Sequence, residues 1–123
     1  MDYLGKHFLV ELYGCEIDRI SDVVFVENVM KEAAIEAGAE IITSLFHKFG
    51  EMGVAGAVII TDSYYGIRTW PEQKYVGLDL FACNEKLNSD KAIAYLLRKF
   101  GAMKYSAAEI KRGQKLEGKV KCR

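Results

Sequence analysis

Between Val54 and Cys83 three strand-like runs follow one another with almost nothing between them. Val54 to Thr61 is nearly all small and apolar, as a central strand requires. Gly56 within it marks a place where another backbone or a ligand comes close. Ile67 to Trp70 resumes the apolar run after a polar break at Asp62–Gly66, and Pro71 stops it, because proline cannot donate to a ladder. Tyr75 to Cys83 sets Val76, Leu78, Leu80 and Ala82 against Tyr75, Gly77, Asp79, Phe81 and Cys83, which is strand spacing. Strands crowded together in this way leave no βαβαβ alternation, which excludes a Rossmann-type chain.

The flanking sequence supplies the remaining elements. Lys6 to Tyr13 alternates Phe8, Val10 and Leu12 against His7, Leu9, Glu11 and Tyr13, and Gly14 and Cys15 end it. Ser21 to Ala37 is predicted helical, capped by Ser21 or Asp22 and followed by Gly38, where a left-handed residue is wanted. Val26, Val29, Met30, Ala33 and Ala37 form its apolar stripe. Glu27, Lys31, Glu32 and Glu36 lie mostly off that stripe and read as a solvated face. Glu40 to Phe49 is a second strand, with Ile41, Thr43, Leu45, His47 and Phe49 on one face and Ile42, Ser44, Phe46 and Lys48 on the other. Both faces carry apolar residues, so both are expected to be at least half covered. Ser89 to Phe100 is a second helix with Asn88 or Ser89 as cap, Gly101 after it, and Ala92, Ile93, Leu96, Leu97 and Phe100 as its buried stripe. Met103 to Ile110 is the last strand, and the basic tail from Lys111 is expected to fray.

The order β-α-β-β-β-β-α-β predicts an α+β fold: a two-layer sandwich, with a mainly antiparallel sheet and two helices on one face. Residues 1–123 make one domain of ordinary size, which buries roughly two-thirds of its unfolded surface. The second sheet face is then uncovered. Leu45, Phe49, Trp70 and Phe81 are available to it, and a partner sheet is its natural cover, so a homodimer is expected.

Charge and cysteine usage narrow the partners. The chain has 17 basic and 17 acidic residues, hence no electrostatic footprint for nucleic acid or an anionic membrane. No run is long enough to span a bilayer and none resembles a signal peptide, which leaves the cytoplasm as the expected location. Cys15, Cys83 and Cys122 show no paired spacing that reads as a disulfide framework. Neither His7 nor His47 stands at ligand spacing to a cysteine, so no metal site is expected.

On residue chemistry alone the function stays open. The chain lacks GxSxG, GxGxxG and P-loop motifs. Asp62 and Ser63 are explained by an Asx-type turn, Cys83 by a small buried hydrophobe, and Arg68 with Glu72 by an ion pair on one side of a strand.

Longer segments carry more. LGKHFLVELYGC, AGAEIITSLFHKF, GVAGAVIITDS, TWPEQKYVGLDLFAC and IKRG together resemble the short prokaryotic S-adenosylmethionine decarboxylase family, over nearly the whole chain. The resemblance implies a pyruvoyl-dependent decarboxylase of spermidine biosynthesis acting on S-adenosylmethionine. In that family the proenzyme cuts itself before a serine, whose hydroxyl attacks the preceding carbonyl. β-Elimination and hydrolysis then leave a pyruvoyl group. The matching bond is Asp62–Ser63, giving a β chain of residues 1–62 and an α chain of residues 63–123. The pyruvoyl group forms a Schiff base with the substrate amine. The family's proton donor matches Cys83, and its substrate contacts match Phe49, Trp70 and Glu72. Four positions depart from the family: Ala55 replaces a serine, Arg68 replaces the processing histidine, and the family's Glu-Ser-His at the cleavage site is here Asp62-Ser63-Tyr64. Arginine does not deprotonate in proteins and cannot act as a general base. Other readings remain at this level: an uncleaved, non-catalytic binding or regulatory subunit, or a decarboxylase whose substrate is arginine or ornithine.

Overall fold

The six expected strands form one antiparallel sheet in the computed structural model, which describes residues 3–83 and 85–114. In chain order they are β1 (Gly5–Tyr13), β2 (Ile41–Phe49), β3 (Gly53–Ile60), β4 (Tyr64–Trp70), β5 (Tyr75–Ala82) and β6 (Lys104–Arg112). Their order across the sheet is β2-β3-β4-β5-β1-β6. The consecutive strands β2 to β5 lie side by side because their links are too short for anything but antiparallel neighbours. Residues Lys111 and Arg112, expected in the tail, belong to β6 and pair with Lys6 and Gly5. The tail beyond Gln114, with Cys122, lies outside the described residues.

Two long helices cover one face: α2 (Val23–Glu36) and α3 (Ser89–Phe100). Asp22 caps α2 by accepting from the Val24 and Phe25 amides at 3.1 Å, and Asn88 caps α3 by accepting from Lys91 at 3.1 Å. Gly101 closes α3 at φ 66°, the left-handed conformation its position requires. A third helix, the single turn α1 (Ile17–Ile20), was not foreseen from sequence, because four residues carry no measurable periodicity. It is tied to the sheet by Thr69, which is fully buried on β4. The Thr69 hydroxyl donates to the Ile20 carbonyl at 2.8 Å and accepts from the Val54 amide at 2.9 Å.

The charged face expected on α2 is partly engaged. Ser44 on β2 donates to Glu27 at 2.7 Å, and the Tyr95 hydroxyl on α3 donates to Glu32. The alternation of β2 also needs correction. A register shift between Ile41 and Thr43 puts Ile41 against the helix-side core together with Phe46, rather than with Leu45. Its outer face is open in the single chain, with Leu45 74 % exposed.

Gly56 admits neither a foreign backbone nor a ligand. A Cβ placed there would overlap the Phe46 ring, so the missing side chain is the seat of Phe46. Gly56→Ala is expected to destabilise the fold by about 1–3 kcal/mol through overpacking, read as a lower urea midpoint at unchanged slope.

On the helix-free face the register aligns side chains in rows across the strands. Phe49 on β2, Gly53, Trp70, Tyr75, Tyr13 and Lys104 make one end row. His47, Ala55, Arg68, Gly77, Glu11 and Ser106 make the next. Toward the other end stand Ile59, Tyr64, Phe81, His7 and Ile110. Leu9, Leu45, Ile59, Tyr64 and Ile110 are all exposed on this face, so it is apolar and uncovered in the single chain.

Candidate active site

Ser63 sits at the mouth of the β3–β4 hairpin, where Thr61 and Asp62 turn the chain. Its amide donates to the Ile60 carbonyl at 3.3 Å, and the Ile60 amide returns a bond to the Ser63 carbonyl at 3.0 Å. That pair holds the Asp62–Ser63 peptide in place. The Ser63 hydroxyl does not close a local turn as the residue pattern suggested. It reaches across to β5 and donates to the Phe81 carbonyl. The group is half-buried.

Cys83 follows β5 beside this point, since Tyr64 pairs with Phe81 and the strands run antiparallel. It is buried, with Sγ 3.5 Å from the Leu4 carbonyl oxygen. It is also disulfide-bonded in this structure, which the cysteine spacing did not foretell, and in that form the sulfur carries no proton. Cys15, by contrast, is a free buried thiol on the helix side; burial pushes it up to about 11 and makes it inert. A cavity of about 560 Å³ opens beside Cys83, lined among others by Gly5, Phe8, Ala82, Leu87 and Ser89.

Phe49, Trp70 and Glu72 gather at the opposite end of the sheet. Phe49 and Trp70 pack edge to face with ring centroids 6.1 Å apart, and Trp70 leans on Tyr75 at 5.3 Å. Tyr75 donates to Glu11; burial and that carboxylate hold its phenol above the ordinary range. Glu72 follows in a short 3-10 turn, Pro71–Gln73, and is exposed. Seven residues of extended chain separate Ser63 from Trp70, about 23 Å at a rise of about 3.3 Å each. The candidate residues therefore form two half-sites at the two ends of one face.

Arg68 belongs to the Trp70 half. The expected ion pair with Glu72 does not form. The Arg68 guanidinium lies over the Phe49 ring instead, 4.2 Å from its centroid, and 6.0 Å from that of Trp70. Glu72 points from a turn that leaves the strand after Trp70, so the two-residue alternation assumed for the pair ends before it reaches the carboxylate.

One cluster was missed altogether. His7, buried on β1, sets one ring nitrogen 3.2 Å from Asp79 and the other 2.8 Å from an Arg112 nitrogen. Arginine only donates, so Nδ1 accepts and Nε2 carries the proton facing Asp79. His7 packs on Phe81, whose carbonyl holds Ser63. Sequence spacing gave no hint of it, because the three residues meet only through pairing of β1 with both β5 and β6. Among the described residues no group of three or more His, Cys, Asp or Glu could hold a metal ion, and no helix is long and apolar enough to cross a membrane.

Known proteins are similar to this chain in architecture and in sequence. Residues 6–113 match the family model described as S-adenosylmethionine decarboxylase. An S-adenosylmethionine decarboxylase proenzyme of Moorella thermoacetica is 47% identical over 113 residues, covering 92% of this chain and 90% of that one. The proenzyme of Pelotomaculum thermopropionicum is 45% identical over the same share of each chain. The crystal structure of the adenosylmethionine decarboxylase from Aquifex aeolicus superposes with a TM-score of 0.85 at 26% identity, covering 97% of this chain and 98% of that one.

Proposed function

The chain belongs to the S-adenosylmethionine decarboxylase family, and from that premise we propose that it matures by cutting itself between Asp62 and Ser63 and decarboxylates S-adenosylmethionine for polyamine biosynthesis. Maturation yields a β chain of residues 1–62 and an α chain of residues 63–123. The observation that carries the reading is the match of residues 6–113 to that family, with Ser63 in a hairpin where Ile60 pins its peptide.

Residue 63 suits a pyruvoyl group. It is half-buried, and Cys83 directly follows the neighbouring strand, so both stand at one end of the sheet's strands. A pyruvoyl group there supplies an electron sink for loss of carbon dioxide. Cys83, as a reduced thiol, holds the proton that the product carbon must receive. The reading therefore places the enzyme in the reducing cytoplasm. Phe49 and Trp70 offer flat apolar faces for a nucleoside base, and Glu72 offers a carboxylate for its ribose hydroxyls.

These roles need both half-sites on one substrate, and one chain holds them about 23 Å apart along β4. A second copy resolves this. Two copies meeting through the exposed apolar face have a two-fold axis between the sheets. An axis parallel to the strands brings like ends together. An axis perpendicular to them lays the Ser63–Cys83 end of one copy on the Phe49–Trp70–Glu72 end of the other. The homodimer of this second kind builds two complete sites and covers Leu9, Leu45, Ile59 and Ile110.

Intact-mass measurement of the purified full-length protein tests the reading. Two fragments divided at Asp62–Ser63 are expected, the larger-numbered one blocked at its amino terminus. A single uncut chain that releases no carbon dioxide from S-adenosylmethionine overturns it.

A further inference from the structure

Arg68 stands where the family's processing histidine is expected, and its surroundings suit a different kind of chemistry. Its cross-strand neighbours are Ala55 and Gly77, two of the smallest residues on the sheet. Its contacts are aromatic: Phe49 beneath it and Trp70 beside it. No carboxylate within the described residues forms an ion pair with it. The charged and titratable groups nearest on the face are His47 on β2, Glu11 on β1 and Asp79 on β5. Glu11 is engaged by Tyr75 and Asp79 by His7. A cation carried on an apolar face that a second copy covers has to find negative charge across the interface.

Five residues of β4 separate Arg68 from Ser63, about 17 Å, so it cannot act on the Asp62–Ser63 peptide of its own chain. In the dimer proposed above, Arg68 and the other copy's Ser63 share one composite site. We infer that Arg68 of one copy stabilises the oxyanion formed at the Asp62 carbonyl of the other during self-cleavage, replacing proton transfer by fixed charge. The inference rests on the proposed maturation and dimer.

The step balances without an outside reagent. Ser63 Oγ attacks the Asp62 carbonyl carbon, and the carbonyl electron pair moves to oxygen. The tetrahedral intermediate carries that negative charge beside the guanidinium. Its collapse breaks the carbon–nitrogen bond, and the hydroxyl proton ends on the released nitrogen. The peptide has become an ester, with no net gain or loss of protons. The later elimination removes the Ser63 α-proton and needs a base, which arginine is not. Arg68 therefore acts on ester formation alone, and added hydroxylamine cuts the ester wherever it has formed.

Hydroxylamine-induced cleavage of full-length protein, followed by denaturing gel and intact mass, tests this, because ester and peptide have the same mass and only the ester is cut. Arg68→Gln is expected to slow ester formation by roughly 100- to 1000-fold. Arg68→Lys retains part of the rate. Arg68→His brings in a group that titrates near about 6.5 and gives the cleavage rate a pH inflection there, absent from the parent chain. Mixing Arg68→Gln with Ser63→Ala protein restores cleavage of the Arg68→Gln chain, because the Ser63→Ala copy lends its Arg68. That rescue also shows that the variant folds. Cleavage of Arg68→Gln alone at the parent rate, or no rescue in the mixture, overturns the inference while leaving the maturation standing. A parent chain that never cleaves overturns both.

Discussion

Ser63→Ala is expected to leave one uncut chain with no detectable decarboxylase activity. In the proposed maturation the side chain supplies both the attacking oxygen and the atoms that become the prosthetic group, so no neighbouring group can substitute. Loss of an enzymatic nucleophile costs on the order of 10⁴-fold or more in rate. The fold should survive, because the change removes a single hydrogen bond, Ser63 to the Phe81 carbonyl, at a half-buried position. That bond contributes about 1 kcal/mol. The variant's urea midpoint therefore stays near the parent value while cleavage and carbon dioxide release both vanish. Persistent cleavage at residue 63 in this variant would assign the nucleophile elsewhere.

The second large effect is recovery of activity from two crippled chains. Glu72→Gln cuts normally but binds substrate poorly, losing roughly 10- to 100-fold in kcat/KM with one charge-assisted hydrogen bond. Ser63→Ala is dead for the reason above. Co-refolded in equal amounts, half the dimers carry one chain of each kind. In each mixed dimer one site unites intact Ser63 of one copy with intact Glu72 of the other. Recovery of about a quarter of parent activity is expected, as counted from the two-fold symmetry. Sites contained within single chains would give no recovery beyond the residual activity of Glu72→Gln alone. The measurement thus tests the geometric argument separately from the chemistry at Ser63.

The elements themselves were legible because their causes are local. Asp22 and Asn88 cap helices through bonds to amides two or three residues away, and Gly101 ends α3 through its own φ. The alternation along β1 and β5 follows from a covered face and an open one. Less local features escaped. The turn α1 is defined by Thr69, forty-nine residues away from Ile20, and the bulge in β2 is a feature of pairing with β3. Gly56 read as a gap for something foreign, and only the register with Phe46 shows what fills it.

The site divides in the same way. Residue identity alone determined the chemistry on offer: a serine before a hairpin strand, a cysteine at a strand end, an aromatic pair, a carboxylate, and an arginine that cannot serve as a base. Those properties belong to side chains and need no fold. Tertiary structure decided which of them can meet. Pairing of β4 with β5 sets Ser63 beside Cys83, while the rigid rise of an extended strand holds Phe49, Arg68, Trp70 and Glu72 at the far end of the same face. Distance along a strand is additive and cannot be folded away, so the sheet itself turns a list of five matching residues into two half-sites.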